Sequence, residues 1–121
     1  IRSGTKEEFK FMSQKKQLVK FLPGGNAQEF KKALLPYSNS PIYLTIDLDW
    51  FDPSLLPGTG TPEPGGFFWN DFEVILETLK EFRIVASDIV ELSPEIDSSG
   101  VSSIVAAKVL RSLIMSLKNM Q

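Results

Sequence analysis

The sequence predicts an α/β domain built on a mainly parallel sheet with helices on its faces. Strand-like and helix-like segments alternate along the 121 residues, which is the pattern of parallel α/β proteins. Residues 42–46 are uncharged and rich in β-branched and aromatic side chains, as in a strand buried on both faces of such a sheet. With 42% hydrophobic residues, the chain has enough apolar material for one domain with a core, but not for two.

The beginning of the chain contains signals for a short helix and a short strand. Thr5 and Glu8 have the spacing of a capping box, so we expect a helix that starts there and ends near Gln14. Residues 18–22 are mostly apolar and precede Pro-Gly-Gly, which predicts a strand that ends at a turn. The chain starts on Ile1 rather than on methionine, and we expect it to be part of a longer protein.

Two capping signals predict further helices. Asn26 with Glu29 begins one helix, and Pro36 ends it because proline cannot continue a helix. Asn70 with Glu73 begins the other. The apolar face of this second helix has the spacing i, i+3, i+4, i+7 and consists of Phe72, Ile75, Leu76 and Leu79.

The last third of the chain predicts a second buried strand and a long helix. The strand covers residues 84–92 and carries Asp88 and Glu91 among apolar neighbours. The helix covers residues 99–117. Its apolar residues at helical spacing are Ile104, Ala107, Leu110 and Ile114.

Three carboxylates follow the first buried strand within six positions, at Asp47, Asp49 and Asp52. Side chains alternate in an extended chain, so Asp47 and Asp49 should point to the same side. Like charges this close repel one another unless a cation lies between them. Hard oxygen ligands of this kind suit magnesium, manganese or calcium, so the pair is a candidate metal site.

The segment after these carboxylates is predicted to be a rigid loop. Residues 52–66 contain four of the eight prolines and four of the eight glycines, a composition that excludes both a helix and a central strand. Asp52 is expected to cap the turn into Pro53. Because open α/β sheets bind ligands beyond the carboxyl ends of their strands, this loop should border a binding site.

Glu91 is expected to complete that site. It stands at the end of the second predicted strand, and parallel strands end at the same edge of a sheet, so it should face the same crevice as Asp47 and Asp49. The alternative for Glu91 is a polar residue hydrogen-bonded to a neighbouring turn. The alternative for the two aspartates is that they cap backbone N–H groups. Two carboxylates on one side of a buried strand are, however, hard to accommodate without a cation.

Absent residue types restrict the chemistry. The chain has no cysteine, which excludes disulfides, thiolate ligands and a cysteine nucleophile, and no histidine, the commonest general base and transition-metal ligand. The net charge of −2 gives no electrostatic reason to expect nucleic acid as a partner. Apolar runs of about 18 residues and signal-peptide features are missing, so we expect no membrane association and a cytoplasmic location.

Residues 45–66, TIDLDWFDPSLLPGTGTPEPGG, resemble the metal-binding signature of the arginase/agmatinase (ureohydrolase) family. The resemblance extends to Arg-Ser-Gly at residues 2–4, Asp-Ile-Val-Glu-Leu-Ser-Pro at residues 88–94 and Asp97. Asp-x-Asp alone is a weak signal, whereas its combination with Thr-Gly-Thr-Pro and Val-Glu-x-x-Pro is specific. Gly-Thr-Pro-Glu-Pro-Gly-Gly at residues 60–66 is more similar to agmatinases than to arginases, and Ser-Pro-x-x-Asp at residues 93–97 points the same way. Trp-Phe at residues 50–51 departs from the usual smaller aliphatic pair.

The resemblance implies a three-layer α-β-α fold, with residues 1–121 as the C-terminal part of a single domain and of its sheet. It also implies hydrolysis of a guanidino group to urea and an amine at a two-manganese centre, most similar to the conversion of agmatine to putrescine. A homo-oligomer, either a trimer or a hexamer, is expected. Asp47 and Asp49 match metal ligands, Glu91 matches the carboxylate that pairs with the substrate guanidinium, and Thr61 matches a contact near the substrate.

The family's other metal ligands have no counterpart in this sequence. They are histidines and aspartates in an Asp-x-His-x-Asp pattern, with a further histidine, in a more N-terminal part of the family. Two or three carboxylates cannot hold two manganese ions, so we expect this chain alone to be inactive.

Three other interpretations remain open at this point. The protein could hydrolyse another guanidino compound, as arginases and guanidinobutyrases do, or be a truncated, non-catalytic family member. Asp-x-Asp after a buried strand is also found in haloacid-dehalogenase-like phosphatases, which form an aspartyl-phosphate. Phe51 and the proline-rich loop disfavour the phosphatase, because that family places a small or hydroxylated residue where Phe51 stands.

Overall fold

The computed structural model describes residues 4–15 and 27–118. These residues form four α-helices, which are α1 (Lys6–Lys15), α2 (Ala27–Leu34), α3 (Trp69–Leu79) and α4 (Val101–Lys118). They also form two strands, β1 (Ile42–Asp47) and β2 (Ile84–Val90). Short 3-10 turns cover Leu35–Tyr37, Leu48–Trp50 and Pro94–Ile96. The strand predicted over residues 18–22 and the cap predicted at Asn26 lie outside the described residues.

The two strands pair in parallel, as the sequence predicted. Ile42 lies opposite Ile84 and Asp47 lies opposite Val90, with one irregularity in register directly after Ile42. A parallel pair needs a long crossover, and the loop that follows β1 together with α3 provides it. The carboxyl ends of β1 and β2 therefore lie side by side, at the edge where a ligand site was expected.

The hydrophobic core lies between one face of this sheet and helices α3 and α4. Leu44 and Ile46 of β1 and Ile89 of β2 pack against it. Its buried members are Leu48, Phe51, Leu56, Phe72, Val105, Ala106, Val109 and Leu113. Three of them belong to the turn and loop after β1, so this loop is packed into the core.

The opposite face of the sheet is exposed within residues 4–15 and 27–118. Tyr43 is 60% exposed and Val85 is 54% exposed, so the expectation that both strands are buried on both faces is wrong for this part of the chain. The alternation in β1 explains the difference, because Ile42, Leu44 and Ile46 point to the core side and their neighbours point away. The uncharged sequence of β1 is typical of a strand buried on both faces, but α3 and α4 pack against one face only.

Helix α1 starts where the sequence predicts, whereas α3 starts earlier than predicted. At α1, the backbone N–H of Thr5 donates to the Glu8 carboxylate over 2.7 Å and that of Glu8 donates to the Thr5 hydroxyl over 3.2 Å, which confirms the capping box. Helix α3 begins at Trp69, before the expected Asn70–Glu73 signal, because the Asp71 carboxylate accepts a 2.9 Å hydrogen bond from the backbone N–H of Phe68.

The residues predicted to form the apolar face of α4 are not the ones that pack against the core. Ile104 is 62% exposed and Ile114 is 54% exposed, whereas Ser102 and Val109 are fully buried. Because α4 has apolar residues on more than one side, helical spacing alone does not identify the face that packs. None of the helices in the described part of the chain is long and apolar enough to cross a bilayer.

Candidate active site

A cavity of about 750 Å³ opens at the carboxyl end of β1. Asp47, Asp49 and Thr61, which the sequence assigned to a site, all line it. The other lining residues are Glu7, Glu8, Phe11, Met12, Trp50, Glu63 and Phe67. The expected site residues from β1 and from the rigid loop are thus brought together in one cavity.

A tight turn, rather than strand alternation, brings Asp47 and Asp49 together. Strand β1 ends at Asp47, and Leu48–Trp50 forms a 3-10 turn whose Leu48 is fully buried. Oδ1 of Asp47 accepts a 2.9 Å hydrogen bond from the backbone N–H of Asp49. Asp47 and Asp49 are close together, as predicted, but the 3-10 turn causes this and not the alternation of side chains along a strand. One oxygen of Asp47 does cap a backbone N–H group, which was the alternative interpretation.

Thr61 is tied directly to the second of these carboxylates. Its hydroxyl group donates a hydrogen bond to Oδ2 of Asp49. Because a hydroxyl donor restricts the orientation of a carboxylate, Thr61 helps to fix Asp49.

Asp52 holds the two ends of the loop together. Its Oδ1 accepts hydrogen bonds from the Ser54 N–H over 3.0 Å and the Ser54 hydroxyl over 2.6 Å. Its Oδ2 accepts from the backbone N–H groups of Gly65 at 2.9 Å and Gly66 at 3.2 Å. These donors, led by the Ser54 hydroxyl, lower the pKa of Asp52 to about 2. The prediction that Asp52 stabilises the turn is confirmed.

The C-terminal end of the loop is packed too closely for any residue but glycine at position 66. A methyl group on Gly66 would lie 2.4 Å from the backbone nitrogen of Asp52 and 2.6 Å from the carbonyl oxygen of Phe51. The backbone N–H of Asp52 already donates a 2.9 Å hydrogen bond to the carbonyl oxygen of Phe67. The backbone at Phe51 and Asp52 is therefore held in place and cannot move away from a methyl group. After the loop the chain therefore returns to the segment that directly follows β1, and Trp50 stacks on Phe67 with ring centroids 4.1 Å apart.

Glu91 lies beside the loop but does not line the cavity. Its backbone φ of 68° is in the left-handed region, which directs the chain away from the strand direction directly after β2. The side chain is exposed, and a methyl group on Gly60 would lie 3.7 Å from Oε2 of Glu91. Glu91 is thus near the segment that carries Thr61, whereas the expectation of a crevice shared directly with Asp47 and Asp49 is not met. A left-handed glutamate is a strained conformation of the kind found at functional sites.

Several residues of the cavity wall were not predicted from the sequence. Trp50 and Phe67 form its stacked aromatic pair, and α1 contributes Phe11 and Met12. The signal for Phe67 was its position directly after the two glycines, where the chain leaves the loop. No pattern in the sequence indicates that α1 approaches the end of β1.

The residues of the site fit part of a manganese shell. Asp47 and Asp49 offer hard carboxylate oxygens, the donor type that manganese prefers. Over residues 4–15 and 27–118, no group of three or more acidic, histidine or cysteine side chains is placed to hold a metal ion. The pair would therefore supply only some of the ligands that such an ion needs.

Comparisons with known proteins agree on one family. A model described as the arginase family matches residues 1–116. The agmatinase of Bacillus cereus is 33% identical over 118 residues. A Clostridium difficile crystal structure, described provisionally as an agmatinase, is 46% identical with a TM-score of 0.85, and the arginase of Bacillus caldovelox is 26% identical with a TM-score of 0.78.

The shared region is nearly all of this chain and a minority of each relative. It covers 95% of the chain but 40% of the Bacillus cereus agmatinase. It covers 98% of the chain and 43% of the Clostridium difficile structure, and 93% of the chain and 40% of the Bacillus caldovelox arginase. The fold is the α/β arginase fold in part, and the haloacid-dehalogenase alternative is set aside. The chain belongs to the arginase family.

Proposed function

We propose that the protein containing this chain is a manganese-dependent ureohydrolase that cleaves agmatine to urea and putrescine. The observation that carries the proposal is the cavity at the carboxyl end of β1, in which Asp47, Asp49 and Thr61 meet. Membership of the arginase family supports the guanidino substrate. The similarity to agmatinases and the Gly-Thr-Pro-Glu-Pro-Gly-Gly segment at residues 60–66 support agmatine in particular.

Asp47 and Asp49 would hold the manganese ions, two in the complete site. The metal pair, when bound, would supply the Lewis acidity that makes water a nucleophile near neutral pH. The two carboxylates supply too few ligands on their own, so residues 1–121 would be inactive alone. In this proposal they form the C-terminal part of the domain. The remaining ligands would come from a more N-terminal part of the protein.

Glu91 and Thr61 would act on the substrate side. A carboxylate such as Glu91 forms paired, charge-assisted hydrogen bonds with a planar guanidinium group, and its strained backbone would fix its direction. Thr61 orients Asp49 and stands at the cavity wall, within reach of a bound substrate. The stacked rings of Trp50 and Phe67 offer an apolar wall for the carbon chain of the substrate.

The test is urea release by the full-length protein from agmatine, arginine and guanidinobutyrate, with manganese and after its removal by a chelator. We expect manganese-dependent urea release, fastest with agmatine. Asp47→Ala and Asp49→Ala should abolish it. Glu91→Gln should raise KM and leave manganese bound, and Glu73→Gln on the exposed side of α3 is the matched control. Retained urea release in either aspartate variant contradicts the proposal.

The proposal includes a homo-oligomer, a trimer or a hexamer, and a cytoplasmic location. Both are carried over from the family resemblance. Light scattering on the full-length protein measures the first, and fractionation of cells that express it tests the second. A monomer would contradict the expected assembly.

A further inference from the structure

A buried carboxylate, Asp97, organises the start of α4. Asp97 is 9% exposed, and its Oδ2 accepts hydrogen bonds from the Ser102 N–H at 2.8 Å and the Ser102 hydroxyl at 2.6 Å. Its Oδ1 accepts from the Ser99 N–H at 3.0 Å and the Ser99 hydroxyl at 2.5 Å. These four donors, led by the Ser102 hydroxyl, hold the pKa of Asp97 well below its usual range. Asp97 is therefore an ionised acceptor that fixes the two serines.

Ser102 connects Asp97 to the loop by hydrogen bonds. It is fully buried, and its hydroxyl proton points to Asp97 because an ionised carboxylate can only accept. The Ser102 oxygen is then free to accept, and it receives the backbone N–H of Gly58 over 2.8 Å. Without the hydroxyl, that N–H group would be buried without a partner, which is unfavourable.

Gly58 connects the two segments that carry the substrate-side residues. Its carbonyl oxygen accepts a 2.8 Å hydrogen bond from the backbone N–H of Ser93, in the segment that follows Glu91. A methyl group on Gly58 would lie 2.8 Å from Cβ of Ser102, so the backbone approaches α4 as closely as glycine allows. Thr61 follows Gly58 in the same loop. The loop of Thr61 and the segment of Glu91 are thus joined at Gly58 and held against α4.

We infer that Asp97 and Ser102 are positioning residues, which act through Gly58 to set the arrangement of Thr61 and Glu91 for substrate binding. The inference rests on the proposed function for the roles of those two residues. We name Asp97, Ser99, Ser102 and Gly58 the Asp97 network. Neither Asp97 nor Ser102 lines the cavity, so their effect on the substrate passes through the backbone of the loop.

The test compares Ser102→Ala and Asp97→Asn with wild type and with Leu79→Ala in the full-length protein at saturating manganese. Leu79 is buried in α3, and its truncation lowers stability without removing a contact of the Asp97 network. Hydrogen exchange of the peptides that contain residues 58–61 and 91–93 reports on the joined segments. Steady-state kinetics with agmatine reports on substrate use.

We expect faster exchange at residues 58–61 and 91–93 in Ser102→Ala and Asp97→Asn, and a KM that rises about tenfold, as for the loss of one hydrogen bond. Leu79→Ala should lower Tm while KM stays at the wild-type value. Unchanged exchange at both peptides overturns the inference whether or not the protein releases urea. Faster exchange with an unchanged KM, or an equal rise of KM in Leu79→Ala, also overturns it. A wild-type protein that hydrolyses no guanidino compound contradicts the proposed function instead, and the exchange comparison still decides whether the Asp97 network holds the loop.

Discussion

The hydroxyl group of Thr61 donates a hydrogen bond to Oδ2 of Asp49, and this contact links the rigid loop to the end of β1. Asp49 also contributes its backbone N–H to Asp47, over 2.9 Å. Each of the two proposed metal ligands is therefore oriented by a neighbour before any ion binds. Partners of this kind keep a ligand in the conformation that coordination needs.

Thr61→Val should weaken manganese binding by about tenfold, because it removes the hydroxyl donor and keeps a β-branched side chain of similar size. Thr61→Ser retains the hydroxyl and is the control, with affinity near the wild-type value. Competition with a metal-binding dye measures the dissociation constant in the full-length protein. Wild-type affinity in Thr61→Val would show that the hydrogen bond to Asp49 does not order a ligand.

Glu91→Gly and Glu91→Ala should separate backbone strain from carboxylate chemistry. Both variants lose the carboxylate, so both should lose most urea release. Alanine keeps the Cβ atom at a φ of 68°, whereas glycine adopts that conformation freely. Glu91→Gly should therefore be more stable than Glu91→Ala by about 1 kcal/mol, measured by denaturant unfolding. Equal stabilities would mean that the chain is not strained at this residue.

The ionisation of Asp52 should make the loop sensitive to acid. Its folded pKa of about 2 is below its ordinary value of 3.8, so the unfolded chain binds more protons in that interval. The stabilisation is present above about pH 4 and is lost as the pH falls towards about 2. Asp97, whose pKa is also lowered, contributes in the same direction.

Asp52→Asn should accordingly lower Tm most near neutral pH. In metal-free protein, the difference in Tm from wild type should stay constant from about pH 6 to about pH 4 and then shrink as the pH falls towards about 2, the folded pKa of Asp52. Glu73→Gln, a substitution of an exposed carboxylate on α3, serves as the control. A Tm difference for Asp52→Asn that stays constant or grows as the pH falls below about 4 would contradict the role given to this carboxylate.

The two consecutive glycines at the end of the loop should tolerate alanine to different degrees. Gly66→Ala places a methyl group 2.4 Å from the backbone nitrogen of Asp52, so the chain must move and about 3 kcal/mol of stability should be lost. Gly65→Ala meets no atom within 4 Å but retains a φ of 88°, which costs about 1 kcal/mol. Denaturant unfolding measures both, and a greater loss in Gly65→Ala would contradict the close packing at Gly66.

Much of the fold could be predicted because each element carries its own local signal. The β-branched run before Asp47 predicts β1, and the Thr5–Glu8 pair predicts the start of α1. Exposure depends instead on what packs against an element. Leu110 and Val109 are adjacent apolar residues of α4, yet Leu110 is 51% exposed and Val109 is fully buried. Helical spacing alone does not distinguish them.

The site could be predicted as a set of residues but not as a geometry. Asp47 and Asp49 were predicted from their position after a strand and Thr61 from the family resemblance, and all three meet in one cavity. The left-handed backbone of Glu91 could not be predicted, because nothing about glutamate favours a positive φ. Ser102 was missed because a serine inside an apolar helix shows its role only when Gly58 and Asp97 are seen beside it.

The most direct test of the account is the number of manganese ions bound by the full-length protein and by its Asp47→Ala and Asp49→Ala variants, measured by elemental analysis after removal of free metal. We expect about two ions per chain in the wild type and a clear loss in each aspartate variant, with Glu73→Gln unchanged. Full manganese content in both aspartate variants would contradict the assignment of the metal centre to the end of β1.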